Sequence, residues 1–464
     1  MTLPVPAAPA TASTADALLS PADGLLSSDD DLLPPEMHAF IRTHRTDDVR
    51  SLALKMPRGE GFDATVALEQ IAGWQAARRK LPSWAANDAI VYPRHLSMEQ
   101  CSSESTARYK AAVAARLFGL KDSGTEAEAD AKACPGAHKE GKPLLMADLT
   151  GGLGVDFAFL APLFRRAVYN ERDSRLCDVA RHNFKALGLE GAEVVNGEAE
   201  TTLDTLPHLD LLFLDPARRD GNGSKTVAIA DCSPDVAALL PRLLAKADRL
   251  MLKLSPMLDW HKAVADLQGS VAEVHIVGTG GECKELLLVC DNAEHATVDV
   301  VCANDPERFA FSMATGHGTD GVDRPVSLPP LFDTSGLTAA AEGGSLFLYE
   351  PNATVMKAGC FGLLASRFGL QAIGRDSHLF VSRQPVEDFP GRGFAVKACS
   401  TMNRRSLKAM LGGVKKANVA VRNLPLSADA LRRKLGVADG GDTYIFGTTA
   451  ADSSHIVLMC GKLG

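Results

Sequence analysis

The feature that most constrains this chain is the apolar run Leu144-Leu145-Met146-Ala147, followed at once by Asp148-Leu149-Thr150-Gly151-Gly152-Leu153-Gly154-Val155-Asp156. An apolar run that ends in an acid and then a glycine cluster predicts a buried parallel strand, a tight turn and a helix. Glycine at positions 151, 152 and 154 allows the backbone to approach a ligand closely, which a Cβ would prevent. Such a loop alone is equally a plain strand-to-helix turn. The acids that follow it narrow the reading.

Arg166-Ala167-Val168-Tyr169-Asn170-Glu171 reads as a second strand, ending in an acid about 20 residues after Asp148 and so placed to accept hydrogen bonds from the hydroxyls of a ribose. A helix is predicted from Ser174 to Leu187, with Leu176, Val179, Ala180, Phe184 and Leu187 on one face. Ala192–Asn196 forms a third strand before Gly197-Glu198, an acidic turn suited to a base amino group. Leu209–Leu214 leads to Asp215-Pro216-Ala217-Arg218, and Arg249–Leu254 to Ser255-Pro256. The last strands are read at Ala272–Val277 and Glu285–Cys290. Strand, acidic turn and helix in repetition predict an α/β fold, a doubly wound Rossmann-like sheet with ligands at the strand C-termini.

This succession resembles the class I S-adenosylmethionine-dependent methyltransferases. The resemblance implies that Asp148, Thr150, Gly151, Gly152 and Gly154 hold the methionine end of S-adenosylmethionine, Glu171 its ribose and Glu198 its adenine. Asp215, Pro216 and Arg218 would face the methyl acceptor. Thr150 stands where many members carry a glycine. The Gly-x-Gly-x-x-Gly spacing of nicotinamide-dependent dehydrogenases is absent.

With 464 residues, 46% of them hydrophobic, the chain has material for two to four cores. Ten cysteines are scattered without a Cys-x-x-Cys pair, which speaks against both a disulfide framework and a metal site. No basic segment with an apolar core opens the chain and no apolar run reaches membrane-spanning length, so a cytoplasmic location without membrane contact is expected. Residues 1–34 read as a disordered tail, 35–120 as a helical N-terminal domain and 121–142 as a linker or insertion. Within the helical region, Asp63–Arg79 carries an apolar stripe and Ser97 is read as the cap of a helix running to Ala115. The methyltransferase domain is assigned to 143–292. Residues 293–390 are read as a linker plus a small α+β domain, with a helix over Ala353–Phe368, and 391–464 as a basic domain.

That last segment holds twelve Lys and Arg against four Asp, a net +8, while the rest of the chain has 37 basic and 53 acidic residues. The asymmetry points to an anion-binding module on an acidic body, with RNA contacted through Arg404, Arg405, Lys408, Lys415 and Lys416. The arrangement resembles a bacterial family of methyltransferases with a C-terminal THUMP-like domain. Four places carry the likeness: Glu99–Glu104 with Tyr109-Lys110-Ala111, the stretch from Asp148 to Arg218, Gly280–Glu285, and Tyr349-Glu350-Pro351-Asn352. It implies a Rossmann-like catalytic domain, a small ferredoxin-like unit and an RNA-binding appendage.

The acceptor side is less defined. In amino-group methyltransferases an Asp/Asn-Pro-Pro-aromatic turn holds the amine, and here Ala217 and Arg218 replace the second proline and the aromatic. The turn also resembles the Asp-Pro-Pro-Arg turn of the 5-methyluridine enzymes, whose cysteine follows the fifth strand; Lys253-Leu254-Ser255-Pro256 has none. Lys253 itself reads equally as a functional or a solvated lysine, and Glu282 and Lys284 as turn residues near the same cleft. The expectation is methyl transfer to a base nitrogen of RNA. The alternatives are a small-molecule or protein acceptor, or an RNA-binding protein that no longer catalyses.

Overall fold

The computed structural model describes residues 32–55, 63–93, 95–120, 144–218, 229–314, 328–334, 337 and 346–463. Most of the tail expected over 1–34, the insertion over 121–142 and much of 315–345 lie outside them. Two compact units emerge, one of Met1–Cys101 with Asp178–Gly188, the other of Ser102–Cys177 with Leu189–Gly464.

The first unit is helical. Asp63 accepts the amides of Thr65 (2.7 Å) and Val66 (3.3 Å) and so starts the helix Ala64–Lys80, where the stripe had been read. Leu33, Met37, Ala67 and Val91 form its core.

The second unit is built on a nine-stranded sheet. In chain order its strands are β1 (Leu145–Asp148), β2 (Arg166–Glu171), β3 (Ala192–Asn196) and β4 (Leu209–Leu214). After a small hairpin of β5 (Ala217–Arg218) and β6 (Cys232–Ser233) come β7 (Ala247–Leu254), β8 (Val271–Thr279), β9 (Glu282–Cys290), β10 (Thr297–Asn304) and β11 (Glu307–Ala314). The spatial order is β11-β10-β8-β9-β7-β4-β1-β2-β3. From β3 to β7 neighbours run parallel, and β9 is antiparallel to both β7 and β8. Every residue of β4 is buried, as expected of a central parallel strand covered on both faces. The chain reverses its winding between β1 and β4, which opens a crevice at their carboxyl ends.

Several elements differ from the sequence reading. The helix given to Ser97 is two pieces, His95–Gln100 and Glu104–Phe118, and Ser103 caps the second through the Thr106 amide. Glu104–Phe118 belongs to the sheet unit, where its buried Lys110 pairs with Glu285 of β9. Glu282 and Lys284 belong to β9; the reversal is made by Gly280 and Gly281, both at positive φ. Residues read as a linker contain β10 and β11, which extend the sheet. The helix expected over Ala353–Phe368 breaks at Gly359 (φ 70°) into Ala353–Ala358 and Phe361–Phe368.

A second, seven-stranded sheet comprises β12 (Phe347–Pro351), β13 (Gln371–Ala372), β14 (Phe380–Ser382), β15 (Gly391–Thr401), β16 (Asn418–Arg422), β17 (Thr443–Thr449) and β18 (His455–Lys462). Its order is β13-β14-β12-β15-β18-β17-β16. Two helices pack on it, Arg404–Leu411 capped by Asn403 and Ala428–Leu435 capped by Ser427.

Candidate active site

Asp148, at the end of β1, is 1% exposed. Among the described residues its Oδ1 accepts the amide (2.9 Å) and hydroxyl (3.4 Å) of Thr150. Burial pushes the Asp148 carboxyl well above the usual range, and the carboxylates of Asp156 and Asp215 add to the shift. The Thr150 hydroxyl in turn accepts the Asp215 amide at 2.6 Å. Thr150 therefore fastens the end of β1 to the end of β4, a task glycine could not perform.

The glycine loop is held from β2. The Gly151 amide donates to the Asn170 carbonyl (2.8 Å), the Gly152 amide to Glu171 Oε2 (2.9 Å), and the Tyr169 hydroxyl to the Gly152 carbonyl. The Asp173 amide donates to Glu171 Oε1 at 2.9 Å, so both carboxylate oxygens already brace backbone. The three glycines have different reasons to be glycine. A Cβ at Gly151 would collide with the Tyr169 ring, whereas Gly152 (φ 56°) and Gly154 (φ 80°) need the left-handed region. Glu198 is exposed at the start of the helix Ala199–Thr205 and makes no side-chain cap bond.

Asp215 and Pro216 are half-buried just beyond β4. Arg218 lies in β5, paired with Cys232; its side chain is outside the described residues. The crevice between β1 and β4 thus brings together Asp148, Thr150, the glycine loop, Glu171 and Asp215.

The sequence reading missed a chain of buried charges behind these residues. Lys110, 0% exposed, hydrogen-bonds Glu285 (2.5 Å) and the Ser102 hydroxyl (3.2 Å) and forms an ion pair with Asp156 Oδ1 at 3.1 Å. Ser102 also donates to Asp156 Oδ2 at 2.7 Å. The Lys253 ammonium sits 3.5 Å from the same Asp156 oxygen and bonds Asp215 Oδ2. Burial works against the charge of Lys253, yet Asp215, Asp156 and Glu285 outweigh it and hold the ammonium above its ordinary range. Burial likewise opposes the charge of Asp156, but Lys110 and Lys253 prevail and keep it ionised. Glu285 is raised by burial, which its lysine neighbours offset only in part. Glu282 and Lys284 instead pair with each other at 2.6 Å, both side chains exposed.

Comparison with known proteins agrees with this architecture. Residues 347–390 match a ferredoxin-like domain model, and residues 391–462 a THUMP domain-like model. Two Mycobacterium tuberculosis proteins, from strains CDC 1551 and H37Rv, are each named as an uncharacterized S-adenosylmethionine-dependent methyltransferase. Each is 27% identical over 316 residues, which is 67% of this chain and 79% of theirs. A crystal structure of a presumed methyltransferase from Porphyromonas gingivalis W83 is 29% identical, with a TM-score of 0.74, covering 92% of this chain and 98% of its own.

Fold, loop and likenesses together define the class: an S-adenosylmethionine-dependent methyltransferase of class I architecture. Its C-terminus is a THUMP-like domain preceded by a ferredoxin-like one. The residues present suit the cofactor, since buried Asp148 makes no side-chain ion pair among the described residues and would welcome an ammonium. Among the described residues no helix is long and apolar enough to cross a membrane, and no group of His, Cys, Asp and Glu could hold a metal ion.

Proposed function

We propose that this enzyme methylates RNA, gripped by the THUMP-like domain and presented to the crevice between β1 and β4. The observation that carries the reading is the cluster of Arg404, Arg405, Lys408, Lys415 and Lys416. All five are exposed and, among the described residues, unpaired. By contrast Arg392 and Arg422 are spent on Glu350, and Arg432 on Asp429 and Asp439. What remains is therefore a patch available to phosphates rather than a neutralised surface.

On this reading residues 143–292 catalyse and 391–464 bind RNA. Asp148, Thr150 and the Gly151–Gly154 loop hold the methionine end, with Asp148 facing its ammonium. Glu171 accepts from the ribose through the lone pairs its two backbone bonds leave, and Glu198 takes the adenine amino group. When bound, the cofactor supplies an electrophilic methyl group. Asp215 and Pro216 position the acceptor against it, and positioning carries much of the rate effect. Arg218 follows on the same turn, where a guanidinium suits a phosphate or a base face. The Asp-Pro turn favours an acceptor that donates a hydrogen bond, which includes the base nitrogen expected from the sequence.

The test is filter binding of bulk RNA at several salt concentrations. Replacing Arg404, Arg405 and Lys408 together by Glu should lower affinity and make the salt slope shallower by roughly 2–3, since each lost phosphate contact removes about 0.7–0.9. Cofactor affinity should stay unchanged. An unaltered slope would remove the basic surface from RNA binding and favour a small-molecule or protein acceptor.

A further inference from the structure

Asp215 and Lys253 leave adjacent parallel strands at the same edge of the sheet, with Leu214 beside Leu252. Nothing local requires a lysine there. It is kept by a line of buried charges: Glu285 fixes Lys110, Lys110 and Ser102 fix Asp156, and Asp156 with Asp215 brackets the Lys253 ammonium. The lysine's side chain is 11% exposed and that of Asp215 is 37% exposed, so this end of the line reaches the crevice.

The pair offers two unused functions side by side. Asp215 Oδ2 is taken by the ammonium, while Oδ1 has no partner among the described residues. An ammonium carries three hydrogens; Asp215 takes one, and Asp156 Oδ2 stands at ion-pair distance, 3.5 Å, from the same nitrogen. The crevice edge therefore carries a carboxylate oxygen open to a donor beside an ammonium with hydrogens still to give.

We infer that the methyl acceptor is a hydroxyl rather than a base nitrogen and that, resting on the RNA reading above, it is the ribose 2′-hydroxyl, with Asp215 taking its proton and Lys253 donating to its oxygen. A hydroxyl donates and accepts through one atom, which is what the pair demands. The nitrogen of an exocyclic amine offers hydrogens but has its lone pair drawn into the ring, and an unprotonated ring nitrogen offers only a lone pair. Charge favours the same choice. An amine gains positive charge as it is methylated, against a fixed ammonium, whereas a hydroxyl losing its proton develops negative charge that the ammonium stabilises. The acceptor oxygen forms the O–CH3 bond as the S–CH3 bond breaks and its electron pair stays on sulfur. The hydroxyl proton passes to the Asp215 carboxylate and then to water.

The experiment incubates the full chain with methyl-labelled S-adenosylmethionine and total RNA from a strain lacking the gene, then digests the RNA in alkali. A methylated 2′-oxygen cannot attack its neighbouring phosphate, so label should remain in alkali-resistant dinucleotides. Label in mononucleotides overturns the hydroxyl assignment while leaving RNA as substrate. No label in RNA overturns both. Lys253→Met should lower kcat by about 100-fold or more, while calorimetric titration with S-adenosylhomocysteine gives an affinity within a few-fold of the parent. Lys253→Arg, which keeps the charge, should recover part of kcat. Full activity of Lys253→Met, or loss of S-adenosylhomocysteine binding in both variants, overturns the role given to Lys253.

Discussion

Lys110→Met is the substitution with the most predictable cost. The methionine would fill the stem's volume, but the ammonium would be gone from a site that is 0% exposed. Glu285 would lose its 2.5 Å partner and Asp156 its 3.1 Å partner, while Asp156 would keep Ser102 at 2.7 Å and Lys253 at 3.5 Å. The stranded group is thus chiefly Glu285, itself 3% exposed. Breaking a buried pair from one side costs about 3–5 kcal/mol, because the remaining charge is buried without compensation. At roughly 2 °C per kcal/mol for a large domain, the thermal midpoint of the sheet unit should fall by about 6–10 °C. The deficit should depend on pH in a definite direction. The Glu285 carboxyl is raised above its ordinary value in the folded chain, so its contribution is present below the unfolded pKa and is lost as pH rises through the folded one. Without Lys110 that rise becomes larger, and the variant should approach the parent as pH falls into the carboxylate range. Adding Glu285→Gln should restore part of the loss at neutral pH. Scanning calorimetry at several pH values is the assay. A midpoint shift under about 2 °C, or a double variant no more stable than the single one, would refute the buried-charge account.

Three further outcomes follow from the site. Glu171→Ala should weaken S-adenosylhomocysteine binding by about 1.5–3 kcal/mol, the range for hydrogen bonds to a charged group; it should also speed amide exchange at Gly152 and Asp173, which the carboxylate braces. Asp215→Ala should abolish methyl transfer with cofactor affinity kept, as read by label incorporation and calorimetry. Gly151→Ala should lower the thermal midpoint and cofactor affinity together, and the double variant with Tyr169→Phe should not recover them, because the clash is with the ring rather than the hydroxyl.

The parallel strands were legible because each is a short apolar run ending in an acid or a turn residue, and β4 is buried along its whole length. Asn403 and Ser427 carry an equally local signal, a side chain that caps the first turn of the helix that follows. β10 and β11 escaped even though Val298 and Val300, then Phe309 and Phe311, alternate with exposed positions. Cys302 and Ala303 are buried in succession and blur that period. The glycine loop was found for a reason the structure only partly supplies, since Tyr169 packing alone accounts for Gly151. Lys110, Asp156 and Glu285 could not be joined from sequence, because only tertiary packing brings a helix, the glycine-loop helix and β9 together. The visible sign was that Lys110 and Glu285 both stand in segments singled out by family likeness.

β12 and β15 pair from Phe347 with Ala395 to Pro351 with Gly391, so the ferredoxin-like and THUMP-like regions share one continuous sheet. Across that seam Glu350 accepts from Arg392 and Arg422. On the other side Asn352 donates to Glu307, and Arg367 donates to the Ala310 carbonyl, both on β11. On the proposed RNA reading the seam would act as a ruler. An RNA held at the basic patch would meet Asp215 at a span set by the protein, and the methylated nucleotide would be chosen by its distance from the gripped segment. Lengthening the RNA between the two by one base pair should move the mark along the strand, not simply weaken it.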